Sequence, residues 1–494
     1  MVIMRLYAGL DCSTQSLSAI VIDTDRREVC FRHSLPFSCP FLPSDDPGVV
    51  HASPAMWRET LEQVLQAMAR AIARNSLRAI SGSGQQHGSV YCGDSPNILT
   101  RETSPIWMDS STQRECNEIE HALGGPTELA MLTGSRAFPR FTGPQIRKFA
   151  REEPAAYGKT KRIHLVSSYL ASVLAGRHVG IDHADGSGMN LMDIRRRQWS
   201  SSALEATAPE LAQRLPDLIA SASTVGTLHE HWQSHLGLPP IRLVAWSGDN
   251  PCSLVGTGLI GEGQLAISLG TSDTVFGPMR EPRMSATGIG HVFASPLGEY
   301  MAITVFRNGA LARERVRDEL GLAWSDFSAA LRQTPAGNDG AMMLPWFEPE
   351  ITPHVLRPGA QRFGLNNGSS AQYVRAIVEA QAMAMLRHST WMGVTAERIY
   401  ATGGAAANRE ILQVIADVFN ADVFQFESTD SAAMGAALRA YQADLNLPWP
   451  DAVRDFATPV PNSRVSPIAA HVEVYRQLAP VYAAREAAAL AALT

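Results

Sequence analysis

Two segments of this chain share one design. LYAGLDCSTQSLSAIVID (6–23) and QLAISLGTSDTVF (264–276) are each an apolar strand, a turn crowded with Ser, Thr and Gly, and a second apolar strand. A hydroxyl-rich turn between strands points backbone N–H and side-chain O–H groups at one spot, which holds a phosphate chain without a long glycine loop. Two such hairpins about half a chain apart predict a duplicated architecture, with one phosphate-gripping turn from each lobe.

The rest of the pattern agrees with a fold built twice. Ser53-Pro54 read as an N-cap and first helical residue, and Trp57, Leu61, Val64, Leu65, Met68 and Ile72 keep a 3.6-residue period behind them. LRAISGSGQQHGSV then predicts a strand running into a glycine-rich loop, and PPIRLVAW (239–246) a buried strand ending in SGDNP. In the second half, strand RIYAT, turn GGAAAN, helix REILQVIADVF and strand DVFQF follow one another. Strands alternating with long helices argue α/β. A chain of 494 residues exceeds one ordinary core. A junction near 240–248 divides it into domains 5–245 and 246–490.

Several function classes drop out. Net charge is −6 and the basic residues are dispersed, which excludes a nucleic-acid groove. Arg5 and Asp11 interrupt any signal-peptide core, and no apolar run reaches membrane-spanning length. HLVSSYLASVLAG (164–176) comes nearest and reads as a buried amphipathic helix. Six cysteines without a C-x-x-C pair fit reduced thiols in the cytoplasm. Three motif lookalikes fail. GSGQQHG (82–88) has His87 where a dinucleotide loop needs Gly; GKT (158–160) lacks the first Walker glycine, with Glu153 in its place; DHAD (182–185) lacks further metal ligands and reads as a solvated polar turn.

The residues left over carry chemistry or local structure. Asp249 stands between a buried strand and a helix with Pro251 in its first turn, so it is either a helix cap or a carboxylate facing a cleft as general base. His87 by itself reads as a hydrogen-bonded loop residue, and Asp11 at a strand end as the start of an Asx-turn. Gly403 and Gly404 allow close backbone approach, for a ligand or for packing.

In order along most of the chain, SGSGQQHGSVY, WMDSS, LTGSRAFPRFTG, DGSGMNL, SGDNP, SLGTSD, WSDF and ATGGAAANREILQVIADVF resemble the FGGY carbohydrate kinases, and among them the xylulokinase branch of the animal type. The resemblance implies two ribonuclease-H-like (actin-like) domains closing on an interdomain cleft. It implies ATP-dependent transfer of a γ-phosphoryl group to the terminal C5 hydroxyl of a ketopentose, D-xylulose first, with Mg²⁺. Asp249 would be the general base, and His87, Arg140 and Asn250 the sugar contacts, with His87 donating to a hydroxyl. Asp11 would help hold Mg²⁺ above a phosphate loop of Ser13, Thr14 and Gln15, facing Gly270, Thr271 and Ser272. Trp324, Gly403, Gly404 and Asn408 would take the adenosine. Partners are then a small sugar and ATP, in a monomer or homodimer. Departures are Cys12 for a common Gly, GPQIRKFA (143–150) for P-K-x-x-W, and His183 for an aromatic residue. Ribulose, L-xylulose or a polyol as substrate, an actin- or Hsp70-like ATPase, and a silent sugar sensor are the competing readings.

Overall fold

Apolar residues on both faces make the first hairpin a buried one. β1 (Leu6–Cys12) and β2 (Ser16–Asp23) pair antiparallel, and β3 (Glu28–Pro36), which alternates exposed and half-buried residues, closes the sheet edge. The computed structural model describes residues 4–285, 287–365, 368–427 and 430–493. α1 (Pro54–Ala71) starts where Ser53 accepts a hydrogen bond from the Met56 N–H, and it buries the predicted stripe from Trp57 to Met68. β4 (Leu77–Gly84) returns parallel to β1. After α2 (Thr142–Glu152), α3 (Val166–Ala175) and the short β5 (Ile181–Asp182) come β6 (Thr224–Thr227), β7 (Arg242–Val244) and β8 (Ser247–Gly248). The sheet order is β6-β7-β4-β1-β2-β3, with β8 continuing alongside β4.

The segment 164–176 differs from the sequence expectation. His164 and Leu165 end a strand, and the helix that follows is buried on every face rather than amphipathic. Ser168 and Ser172 permit this by bonding locally, as where the Ser172 hydroxyl donates to Ser168 O at 2.6 Å, and Ser167 donates to Asp185.

The second lobe repeats the plan. α4 (Asp249–Gly256) leads to β9 (Gln264–Leu269), β10 (Asp273–Met279), β11 (His291–Ala294) and β12 (Tyr300–Phe306). α5 (Ala310–Glu319), α6 (Trp324–Gln333) and α7 (Ser370–Ser389) precede β13 (Arg398–Thr402), α8 (Arg409–Phe419) and β14 (Asp422–Gln425). α9 (Ser431–Leu445) and α10 (Ala469–Ala491) finish the chain. The order is β11-β12-β10-β9-β13-β14. In both sheets three antiparallel strands are followed by two parallel ones, β3-β2-β1-β4-β7 matching β12-β10-β9-β13-β14. This is the ribonuclease-H-like topology of actin-like ATPase domains, used twice.

The lobes are stitched by exchanged helices. α4 carries Leu254 onto the second sheet, among Ala266, Met301 and Tyr400. α9 comes back to lie on the first, so closely that a Cβ on Gly9 would stand 2.0 Å from Ala433 O. Among the described residues no helix is long and apolar enough to cross a membrane.

Candidate active site

The carboxyl ends of neighbouring strands bring the two key acids together. Asp11 on β1 sits in register with Ser83 on β4, and Ser83 with Ser247 on β8. Asp249 follows two residues later as the first residue of α4, with Gly248 and not Asp249 in the capping position. Its Oδ1 accepts from Asn250 N at 2.8 Å and Asn250 Nδ2 at 3.1 Å. Burial, and then the negative charge of Asp11, push its carboxyl up to about 7. Burial pushes Asp11 up to about 6. Asp11 Oδ1 is buried without a partner, an uncommon and expensive state for a carboxylate oxygen.

Asn250 adjoins Asp249 and ties through Gln86 to the loop that carries His87, and Arg140 lies near enough to act on the His87 ring. His87 adopts a left-handed φ of 73°, packs on Phe141 with ring centroids 4.4 Å apart, and shares a 2.9 Å hydrogen bond between Nδ1 and Gly188 O. A carbonyl only accepts, so Nδ1 carries the proton. Burial and the charge of Arg140 drive the ring down to about 3, so it is neutral. Its Nε2 is therefore an acceptor, which reverses the donor role expected from the resemblance. Arg140 lies over Phe138 and donates from Nη2 to His291 Nε2 at 2.8 Å. Burial lowers its pKa to about 10, and it stays charged at neutral pH.

The turn DHAD also corrects the sequence reading. Asp182 and Asp185 are both 1 % exposed, so the turn is not solvated. Asp182 accepts from Ser247 Oγ at 3.0 Å, from Ser221 Oγ at 2.5 Å and from Asp185 N at 2.7 Å. It stands 3.5 Å from Arg439 of α9, whose guanidinium donates to Ala245 O at 2.8 Å and Ser221 O at 3.0 Å. Sequence reasoning missed this clamp, along with His291, because an arginine on a helix and a histidine on a strand resemble surface residues until the lobes are assembled.

The two hairpin turns differ in how ready they are. Ser13 turns its hydroxyl back onto Ser16 O at 2.9 Å, Thr14 accepts from Trp107 Nε1 at 2.8 Å, and Gln15 is exposed. In the second lobe, Gly270 and Thr271 line a cavity of about 730 Å³ with Trp324, Gly404 and Asn408. Ser272 completes that turn and is half-buried. Trp324 is 43 % exposed under Arg317, not a core tryptophan. Asn408 caps α8 by accepting from Glu410 N at 3.0 Å, and donates to Ser328 Oγ at 2.9 Å. The glycines divide their duties: Gly403 has φ +86° with Leu269 O 2.6 Å from any Cβ, whereas nothing lies within 4 Å of a Cβ on Gly404. Behind the turn, Arg313 donates to Asp273 at 2.7 and 3.0 Å and to Gln381 Oε1 at 2.8 Å, and the Gln381 amide donates to Asn308 O and Gly309 O.

No group of three or more His, Cys, Asp or Glu side chains forms a metal cage among the described residues. A magnesium ion is commonly held by one or two carboxylates together with substrate phosphates and water. The unpartnered Asp11 Oδ1 is a suitable ligand for it.

Two ribonuclease-H-like lobes, a carboxylate pair at their junction and a nucleotide-sized cavity define a phosphotransferase of the actin-like fold class. Models of the N-terminal and C-terminal domains of the FGGY family of carbohydrate kinases match residues 6–256 and 265–443. The chain belongs to the FGGY family of carbohydrate kinases. It is 38 % identical to the xylulose kinase of Rattus norvegicus, over 98 % of this chain and 96 % of that protein. It is 39 % identical to xylulose kinase 2 of Arabidopsis thaliana, over 88 % and 86 %. The crystal structure of xylulose kinase from Rhodospirillum rubrum superposes with a TM-score of 0.87 at 21 % identity, covering 99 % of this chain and all of that one, 100 %.

Proposed function

We propose that this chain is an ATP-dependent xylulokinase that transfers the γ-phosphoryl group to the C5 hydroxyl of D-xylulose. The carrying observation is Asp249: a carboxylate pushed up to about 7 by burial and by Asp11, and steadied by Asn250 at the start of the helix that joins the two lobes. The relatives named xylulose kinase supply the sugar.

In this reading the sugar lies among His87, Arg140 and Asn250. Neutral His87 accepts from one hydroxyl through Nε2, and Arg140 donates to another. A polyol lacking a matching hydroxyl would leave one of these buried groups unsatisfied, which is the source of selectivity. Asp249, its Oδ1 steadied by Asn250, takes the proton from the attacking hydroxyl. Gly270, Thr271 and Ser272 hold the phosphate chain from one lobe, with the Ser13–Gln15 turn facing them from the other. Trp324, Gly404 and Asn408 line the adenosine end, and Gly403, packed against Leu269, shapes the turn beneath them. Asp11 would hold a magnesium ion together with the phosphates, and the ion would supply neutralisation of the charge that builds during transfer. Positioning by the two lobes and exclusion of water do the rest.

A coupled ADP-release screen over D-xylulose, L-xylulose, ribulose, ketohexoses and glycerol tests the proposal. D-xylulose should give the highest kcat/KM. A different preferred sugar would reassign the substrate within the family, and ATPase activity indifferent to every sugar would overturn the reading.

A further inference from the structure

Gln86 is a buried amide wedged between two glycines. A Cβ on Gly248 would stand 2.4 Å from its Cγ, and one on Gly188 3.3 Å from its Nε2. Its Oε1 accepts from Asn250 Nδ2 at 2.8 Å, and that same Nδ2 donates to Asp249 Oδ1. At the other end, Gln86 Nε2 and Asp185 Oδ1 are both buried, and neither makes a regular hydrogen bond. They lie against one point of the backbone, since a Cβ on Gly248 would be 2.8 Å from Asp185 Oδ1 and 2.8 Å from Gln86 Cδ. The second Asp185 oxygen, Oδ2, accepts from the Ser167 hydroxyl, and Asp185 N is pinned to Asp182.

An amide is polar in a fixed sense: one end only donates and the other only accepts. An acceptor beside Nε2 therefore dictates which way Gln86 faces. That orientation sets Oε1 against Asn250, which in turn must show Nδ2 to both Gln86 and Asp249. Asn250 Oδ1 is then the atom left for the cleft. Burial raises the Asp185 carboxyl well above the usual range, with the Ser167 hydroxyl and the Gln86 amide pulling it back. A proton held on Oδ2, against Ser167, leaves Oδ1 an acceptor in either state.

We propose that Asp185 is a positioning residue which, through Gln86, sets the polarity of Asn250, so that the sugar meets an acceptor from Asn250 beside the general base. The inference rests on the sugar site proposed above, and nothing in the sequence marks Asp185 for it. Removing the acceptor frees Gln86 to turn over, and Asn250 follows, offering the sugar a donor in place of an acceptor.

The test is a mutant cycle on the full chain, read as separate KM values for sugar and ATP, on whichever ketose or polyol supports turnover. Failure of xylulose itself would then count against the proposed function alone. Asp185→Leu and Gln86→Met should each raise the sugar KM about tenfold, the scale of one stranded buried polar group, with the ATP KM unchanged. The double variant should be no worse than either single, because the two side chains act as one unit. Asp185→Asn should stay near wild type, since its Oδ1 can face Gln86 while its amide group meets Ser167. A sugar KM within about twofold of wild type for Asp185→Leu, equal rises in both KM values, or a double variant that multiplies the single effects would overturn the proposal. If Asp185→Leu does not fold, the double variant, which strands neither group, takes its place. A sugar KM matching Gln86→Met then supports the relay, and a further rise overturns it.

Discussion

Gly256 and Gly435 meet face to face where α4 crosses α9. A Cβ on Gly256 would stand 1.9 Å from Ser431 O, and one on Gly435 1.8 Å from Cys252 O. The contact lies at the far end of the helix whose first residue is Asp249, so the packing of the two lobes and the placement of that carboxylate share one short element. Backbone carbonyls cannot yield as a side chain does. Gly435→Ala should therefore destabilise the protein by about 1–3 kcal/mol or more and lower kcat with it. Gly158→Ala, where a Cβ meets nothing within 4 Å, is the control. Thermal melts and turnover of both variants check this, and a harmless Gly435→Ala would show that the crossing is loose.

Asp249→Asn should lower kcat by roughly 10²–10⁴-fold, the usual contribution of a positioned base, with sugar affinity little altered. It should also stabilise the fold at alkaline pH. The folded carboxyl, at about 7, lies above its unfolded value, so the native state holds the extra proton between about pH 4 and 7 and loses stability as pH rises through that window. The neutral amide escapes that loss. A melting temperature about 1–3 °C above wild type at pH 8, vanishing near pH 4, is the expected result.

Activity should follow ionisation of the same pair. Below about pH 7, kcat/KM for the sugar should fall about tenfold per unit as Asp249 takes up a proton. Asp11 and Asp249 repel, so the measured values belong to both together. Asp11→Asn, which removes the like charge, should move the acid limb to lower pH while raising the magnesium requirement. An unmoved limb would remove Asp11 from the electrostatics of the site.

His87 is a poor place for alanine, because its φ of 73° favours Asn or Gly. His87→Asn keeps that backbone and removes the Nε2 acceptor. Sugar KM should rise about tenfold, with ATP KM and melting temperature little changed. Isothermal titration with the sugar would show the loss directly, and unchanged affinity would take His87 out of the site.

Arg313→Met leaves Asp273 buried and unpaired behind the Gly270–Ser272 turn. Breaking such a pair costs about 3–5 kcal/mol, and the turn it braces should lose its grip on the nucleotide. A raised ATP KM at unchanged sugar KM is expected, and Asp273→Asn in the same chain should recover part of the stability. Equal effects on both substrates would assign the pair to general stability.

Much of this was legible in order along the chain. Hairpin, cap and helix are local events: Ser53 before Pro54, the period from Trp57 to Met68, and Asn408 at the head of α8 need only neighbouring residues to specify them. Segment 164–176 was misread because a helix buried on all sides has no polar face to betray its setting. DHAD was misread for the converse reason, since two aspartates in four residues look solvated until Ser221, Ser247 and Arg439 arrive from distant parts of the chain.

By itself the sequence determined the doubled α/β plan and the two hydroxyl-rich turns, because strand and turn preferences act over a few residues; Asp11 and Asp249 stood out only through the family resemblance. Only the tertiary structure decided which way each polar group points. His87 became an acceptor, Asp185 a buried neighbour of Gln86, and Arg439 a clamp between lobes, because hydrogen-bond direction and burial depend on partners brought together by folding.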